Sequence, residues 1–233
     1  MKTRMIAAAI ALAAISGSAL AQATITLHSN QLPSEQGWTY QAQGLHAGTA
    51  EVSAFTPGSS ALAMNTMGAG MNLTSSYLGA RNFINESLFT PSSIVTIDLR
   101  ARVLSSEVSL YHYGFGVSVQ GGGRWMGFGL STTTLTYTDL LNQPATFDPT
   151  QWHDYRMVGN WATGTFQMFV DNNLVRTANM DWQNMAANAF IGDSTGTANA
   201  NVQVEHLNVT VPSPAGASVL AGGGLLAMRR RRK

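Results

Sequence analysis

The chain has 233 residues with 13 Lys or Arg, 12 Asp or Glu and no cysteine, which excludes a disulfide framework and a thiolate metal site. Seven of the basic residues (Lys2, Arg4, Arg229, Arg230, Arg231, Arg232 and Lys233) crowd the two ends, so residues 22–210 carry six Arg against all 12 acids, a net charge of −6. Such a surface argues against nucleic acid as a partner, because phosphate binding needs a basic face.

The first 21 residues begin with Lys2 and Arg4, continue through apolar Met5 to Ile15 and close on Ala19-Leu20-Ala21. This is the layout of a secretory signal peptide (residues 1–21) cut by signal peptidase after Ala21, with Ala19 and Ala21 as the small residues of the cleavage site. The rival is a membrane-spanning first helix, but the apolar run falls short of the roughly 20 residues that a bilayer requires.

Residues 22–210 read as one all-β domain, long enough to bury a core without disulfides. No stretch sustains a helical apolar period over three turns, and short strand patterns separated by Gly, Asn, Pro or Ser turns dominate. In chain order the strands are expected at 24–27, 37–41, 61–66, 94–104, 114–120, 124–131, 133–137, 152–158, 165–170, 174–177 and 202–211. The clearest is 94–104, where Val95, Ile97, Leu99, Ala101 and Val103 alternate with polar residues, so that one face is core and the other wet. These residues are expected to share a core with Phe166, Met168 and Val170. In 202–211 the alternation slips phase near His206, which predicts a β-bulge. Asp171-Asn172-Asn173 supplies residues that tolerate left-handed backbone, as a tight hairpin needs.

Trp152-His153-Asp154-Tyr155-Arg156-Met157-Val158, the turn Ala162-Thr163-Gly164-Thr165 and then Phe166 through Val170, Asp171 and Asn172 to Val175 resemble a strand pair of concanavalin A-like domains, including laminin G-like modules. In that pair, Trp-His opens one strand and Val-Asp-Gly ends the next; here Asn172 stands in place of Gly. The resemblance implies a concanavalin A-like jelly-roll sandwich of two antiparallel sheets. It also implies carbohydrate binding on the concave sheet or its rim loops, in some members with calcium, and in a few members glycan cleavage.

Glycoside hydrolysis usually needs two carboxyl groups roughly 5 to 10 Å apart, and the β-glucanases of that fold carry them as Glu-x-Asp-x-x-Glu. That spacing does not occur in the sequence, and neither Asp98 nor Glu205 has an acidic neighbour two residues away, so the chain is read as non-enzymatic. The five His residues (28, 46, 112, 153 and 206) lack metal-site spacing. His153 shares the phase of Tyr155 and Met157 and is expected to hydrogen-bond within the sandwich. Met64, Met67 and Met71 could form a soft copper site, but strand packing explains them more simply. No cofactor is predicted; calcium enters only through the resemblance.

Period two puts Met126, Phe128 and Leu130 on one face and Trp125 on the other, beside Gly127 and Gly129. An open indole flanked by bare glycines suits the apolar face of a sugar; alternatively, the indole folds over the glycines and shores up a weak strand. The candidate glycan site comprises Trp125, with Arg124 at its edge and Arg156 or Glu205 bonding hydroxyls. Asp98, Arg100, Arg102, Asp154 and Gln167 share the outward phase. Ion pairing is the simpler use for the charged members.

The last residues, 211–233, read Val211-Pro212-Ser213-Pro214, then a Gly/Ala/Leu stretch, then Arg229 to Lys233. A cationic end arrests export at a cytoplasmic leaflet; taken alone it could also be a disordered tail that binds anionic polymer. This order of parts resembles the PEP-CTERM sorting domain, in which a membrane exosortase recognises a Pro-x-Pro element, here Pro212 and Pro214 around Ser213 where Glu is usual. The resemblance implies an exosortase-like partner, membrane contact through the tail, and a surface or extracellular-matrix location. The combined expectation is an exported, surface-sorted protein that contacts extracellular polysaccharide. A structural or adhesive protein and a glycan-degrading enzyme are the alternatives.

Overall fold

The computed structural model describes residues 22–71, 76–91, 93–108, 113–137 and 142–212. Among the described residues the strands form two sheets of eight. The first runs β13 (Asn173–Asn179), β12 (Thr165–Val170), β11 (His153–Asn160), β6 (Ile94–Val108), β16 (Ala198–Pro212), β4 (Leu62–Asn65) and β3 (Phe55–Thr56), with β1 (Gln22–His28) also paired to β16. The second runs β10 (Asn142–Pro144), β9 (Thr134–Tyr137), β8 (Arg124–Leu130), β7 (Phe115–Gly121), β15 (Asn188–Asp193), β5 (Tyr77–Phe83) and β2 (Thr39–Gln43), with β14 (Asp181–Trp182) on β8. All these pairings are antiparallel. The α-helix in the described residues is the single turn Glu51–Ala54.

The core lies between the sheets. Strand β6 contributes Val95, Ile97, Leu99, Ala101 and Val103, and β12 contributes Phe166, Met168 and Val170, all buried in one cluster as their alternation requires. The second sheet answers with Phe115, Val117 and Val119 from β7 and Met126, Phe128 and Leu130 from β8. Phe128 stacks on Tyr155 at 5.7 Å between ring centroids, and Tyr137 on Phe166 at 6.2 Å, joining the two layers. Met64 packs in this core from β4, whereas Met67 and Met71 lie beyond that strand and Met71 is exposed, so strand packing accounts for Met64 alone.

Two local expectations have clear physical outcomes. The register of β16 against β6 shifts between Val204 and His206, leaving Glu205 as the extra residue of a bulge. Asp171 (φ 48°) and Asn172 (φ 64°) form the two-residue turn between β12 and β13, while Asn173 already pairs with Val170. Strand β16 runs past the expected domain end at Thr210, since Val211 opposes Ala23 and is buried in phase with Leu207 and Val209. Strands β3, β5, β10, β14 and β15 were not expected from the sequence. Of these, β15 and β5 lie inside the second sheet, between β7 and the edge strand β2, and there Leu78, Gly79 and Ala80 are buried in succession and all six residues of β15 are buried. A strand covered on both faces shows no alternation.

Candidate functional site

The site is on the outer face of the second sheet. Because Val117, Val119, Met126 and Phe128 point into the core, their neighbours in the strands point outward. Cross-strand register arranges those neighbours in rows. One row holds Phe83, Asn188, Gln120 and Trp125, and the next Thr39, Arg81, Phe190, Ser118 and Gly127. A third runs through Gly79, Gly192, Gly116 and Gly129 on four adjacent strands. Without side chains, this third row is a trough crossing the strands.

Aromatic rings from elsewhere fill the trough. A Cβ at Gly129 would collide with the Tyr113 ring, one at Gly116 would lie 2.7 Å from Tyr113 Cε2, and one at Gly79 would collide with Phe190. Tyr113 is fixed at its far end by Ser194, Oη to Oγ 3.3 Å. Burial, with a smaller contribution from Asp193, pushes the Tyr113 phenol above its ordinary pKa, so it stays neutral. The open space lies beside the filled trough. It is a shallow, solvent-open cleft of about 20 Å³ between the Trp125 and Tyr113 side chains, floored by Gly116, Ser118 and Gly127 and edged by Ser194. Its size is that of a notch in the sheet face rather than of an enclosed ligand pocket.

The structure keeps part of the expected constellation and separates the rest. Trp125 faces outward as its phase requires, but it is half-buried rather than open, with Asp181 of β14 paired beside it. Arg124, one residue earlier, points to the opposite side by the same period-two rule: its guanidinium lies against Gly164 in the turn before β12, where a Cβ would collide with it. It therefore does not edge the Trp125 site. Arg156 and Glu205 lie on the outer face of the first sheet, across the full thickness of the sandwich from Trp125. There they are held in ion pairs, Arg156 Nε to Asp98 at 3.6 Å and Glu205 to Arg100 Nε at 2.9 Å, with Arg100 also 3.0 Å from Asp154. The ion-pair reading of these outward charges therefore holds. Arg102 donates to Gln203 and lies 5.0 Å from the Trp152 ring centroid.

His153 hydrogen-bonds at the sandwich rim, Nδ1 with Asp171 Oδ2 at 2.6 Å and Nε2 with the Asp148 carbonyl at 2.9 Å. Among the described residues no group of three or more His, Cys, Asp or Glu is placed to hold a metal ion. Ala19, Ala21 and Pro214 lie outside the described residues, while the Pro212 backbone closes β16 opposite Gln22. Sequence reasoning missed Tyr113 and Ser194 altogether. Ser118 was legible as an outward position of its strand.

The architecture is that of the concanavalin A-like sandwich, and solved structures share it. A carbohydrate esterase from the Shiga toxin-encoding bacteriophage phi24B superposes with a TM-score of 0.52 at 14% identity, over 83% of this chain and 100% of its own. A protein of unknown function from Shewanella oneidensis MR-1 does so with a TM-score of 0.51 at 8% identity, over 85% and 90%. At these identities the likeness is one of fold. No family model matches the sequence, and no curated protein matches it.

Proposed function

We propose that this is an exported, surface-sorted, non-enzymatic protein that contacts extracellular polysaccharide through the outer face of its second sheet. The observation that carries the reading is the cleft between the Trp125 and Tyr113 rings over a floor of Gly116, Ser118 and Gly127. Two aromatic walls offer stacking surface for the apolar faces of sugar rings, and the Ser118, Ser194 and Tyr113 hydroxyls can exchange hydrogen bonds with sugar hydroxyls. Binding is favoured over cleavage because rings, hydroxyls and backbone line the cleft, whereas Asp98, Asp154 and Glu205 are paired to arginines on the other sheet. Export rests on the Ala19-Leu20-Ala21 site, and sorting on the Pro212-Ser213-Pro214 tail.

A polysaccharide pull-down with the full chain and with Trp125→Ala and Tyr113→Ala tests the binding. Stacking contributes about 25 cal/mol per Å² of apolar surface removed from water, so truncating either ring should weaken binding at least about tenfold. Wild-type binding by a folded Trp125→Ala protein overturns the proposal. For sorting, intact-mass analysis of cell-surface material should show both ends removed, and recovery of chains retaining Met1 and Lys233 overturns it.

A further inference from the structure

We infer that the polysaccharide recognised by this face is acidic, and that Arg81 reads its carboxylates; the inference rests on the binding reading above. Arg81 stands on β5 in the same outward row as Phe190, Ser118 and Gly127. Its guanidinium is held as a plate. The Nε–H donates to the Tyr77 hydroxyl, and the central carbon lies 4.8 Å from the Tyr77 ring centroid and 5.8 Å from that of Phe190. Those two rings pack together at 4.9 Å. Burial raises the Tyr77 phenol against the opposing pull of Arg81, so the phenol remains a neutral acceptor rather than a counter-ion.

Arg81, Arg102 and Arg124 have no carboxylate partner among the described residues, and of these three only Arg81 points out from the second sheet. Arg100 and Arg156 on the first sheet have carboxylate partners, but Arg81 makes no ion pair among the described residues, and its two terminal nitrogens make no hydrogen bond there. A guanidinium fixed through Nε and stacked on rings presents the remaining edge as a preorganised fork, the geometry that takes a carboxylate in two parallel hydrogen bonds. The row that holds Arg81 (Thr39, Phe190, Ser118 and Gly127) contains no carboxylate to compete, and Asp181 lies at the far end of the neighbouring row, beyond Trp125. Strand β5 is three strand spacings from β8, about 14 Å at the usual separation. A sugar chain crossing the strands would therefore reach Trp125 with one unit and Arg81 with another. The implied ligand is an extended polyuronate rather than a single sugar.

The test compares polygalacturonate with the same backbone methyl-esterified, which removes the charge and keeps the chain. Each is titrated into the full chain, Arg81→Gln, Arg81→Lys and Trp125→Ala, with thermal melts to confirm folding. The expected result is that polygalacturonate binds at least about tenfold tighter than its ester, that Arg81→Gln removes this preference, and that Arg81→Lys restores only part of it, since lysine keeps the charge but not the fork. Equal binding of acid and ester, or a folded Arg81→Gln protein with undiminished preference for the acid, overturns the inference. Trp125-dependent binding of the ester with no gain for the acid would retain the polysaccharide reading and remove only its acidic character. No binding of any polysaccharide removes both.

Discussion

Leu99 is the residue on which the packing of the sandwich can be tested most directly. It lies at the centre of β6, 1% exposed, with Tyr155 of β11 opposite on one side and Leu207 of β16 on the other, both buried. Replacing it by Ala forfeits about 2.4 kcal/mol for the lost isopropyl group at about 0.8 kcal/mol per methylene-sized carbon. A cavity cost adds to this, because both neighbours are clamped by backbone ladders and Tyr155 is further pinned against Phe128 of the other sheet. The sum falls at about 3 to 5 kcal/mol, the range of buried Leu→Ala changes in rigid surroundings. Urea unfolding followed by tryptophan fluorescence and far-UV circular dichroism measures it, with an unchanged slope as the check on two-state behaviour. A loss below about 0.5 kcal/mol, the size of a surface effect, would mean that this face of β6 does not look into the core.

Deleting Glu205 should be tolerated within about 1 kcal/mol, the upper worth of its exposed pair with Arg100, because Val202, Val204 and Leu207 then alternate without a break. Deleting Val204 instead pushes Glu205 into the core phase, and it should abolish folding; equal effects of the two deletions in a urea melt would contradict the bulge. Burial alone would raise the Asp171 carboxyl, but hydrogen bonds from the Asp154 N–H and from His153 outweigh it and hold the group below its ordinary range. A lowered folded pKa gives stability that is full above the unfolded value of about 3.9 and is lost as pH falls through the folded one. Asp171→Asn should therefore flatten the acid limb of the stability–pH curve, and an unchanged limb would refute this. Gly129→Ala places a methyl group where the Tyr113 ring lies. It should cost about 1 to 3 kcal/mol as overpacking does and raise the solvent exposure of Tyr113; native-like stability and near-ultraviolet dichroism would show that the ring does not rest on the glycine.

How much of this fold could be read in advance depends on which strands meet water. Strand β6 advertises itself because its outer residues Thr96, Asp98, Arg100 and Arg102 are solvated while Val95, Ile97, Leu99, Ala101 and Val103 are not, and β16 shows even its bulge as a slip of phase. The turn at Asp171 and Asn172 is legible for a local reason, since it needs residues that accept positive φ. Strands β5 and β15 carry no such mark. Their outer face is covered by Phe190, Tyr77 and Arg81, so burial continues along the chain and the period disappears.

The candidate site divides along the same line. Period two was enough to turn Trp125 outward, and the same rule turns Arg124 away from it. Outwardness alone, however, does not say which of two sheets a strand joins, and Arg156 and Glu205 are outward on the other one. Each glycine of Gly79, Gly116, Gly129 and Gly192 reads singly as a weak point in its own strand. Their alignment into a trough is a property of register between segments far apart in sequence, and the ring that covers its end comes from the connection into β7. That cover bears on the choice between Trp125 as a patch for bare strand and Trp125 as a surface for sugar. A strand with exposed glycines must be shielded by something, and Tyr113 already shields Gly116 and Gly129. The Trp125 indole is thereby left as a wall of the cleft rather than its lid, and its availability to a ligand depends on Tyr113 keeping its place.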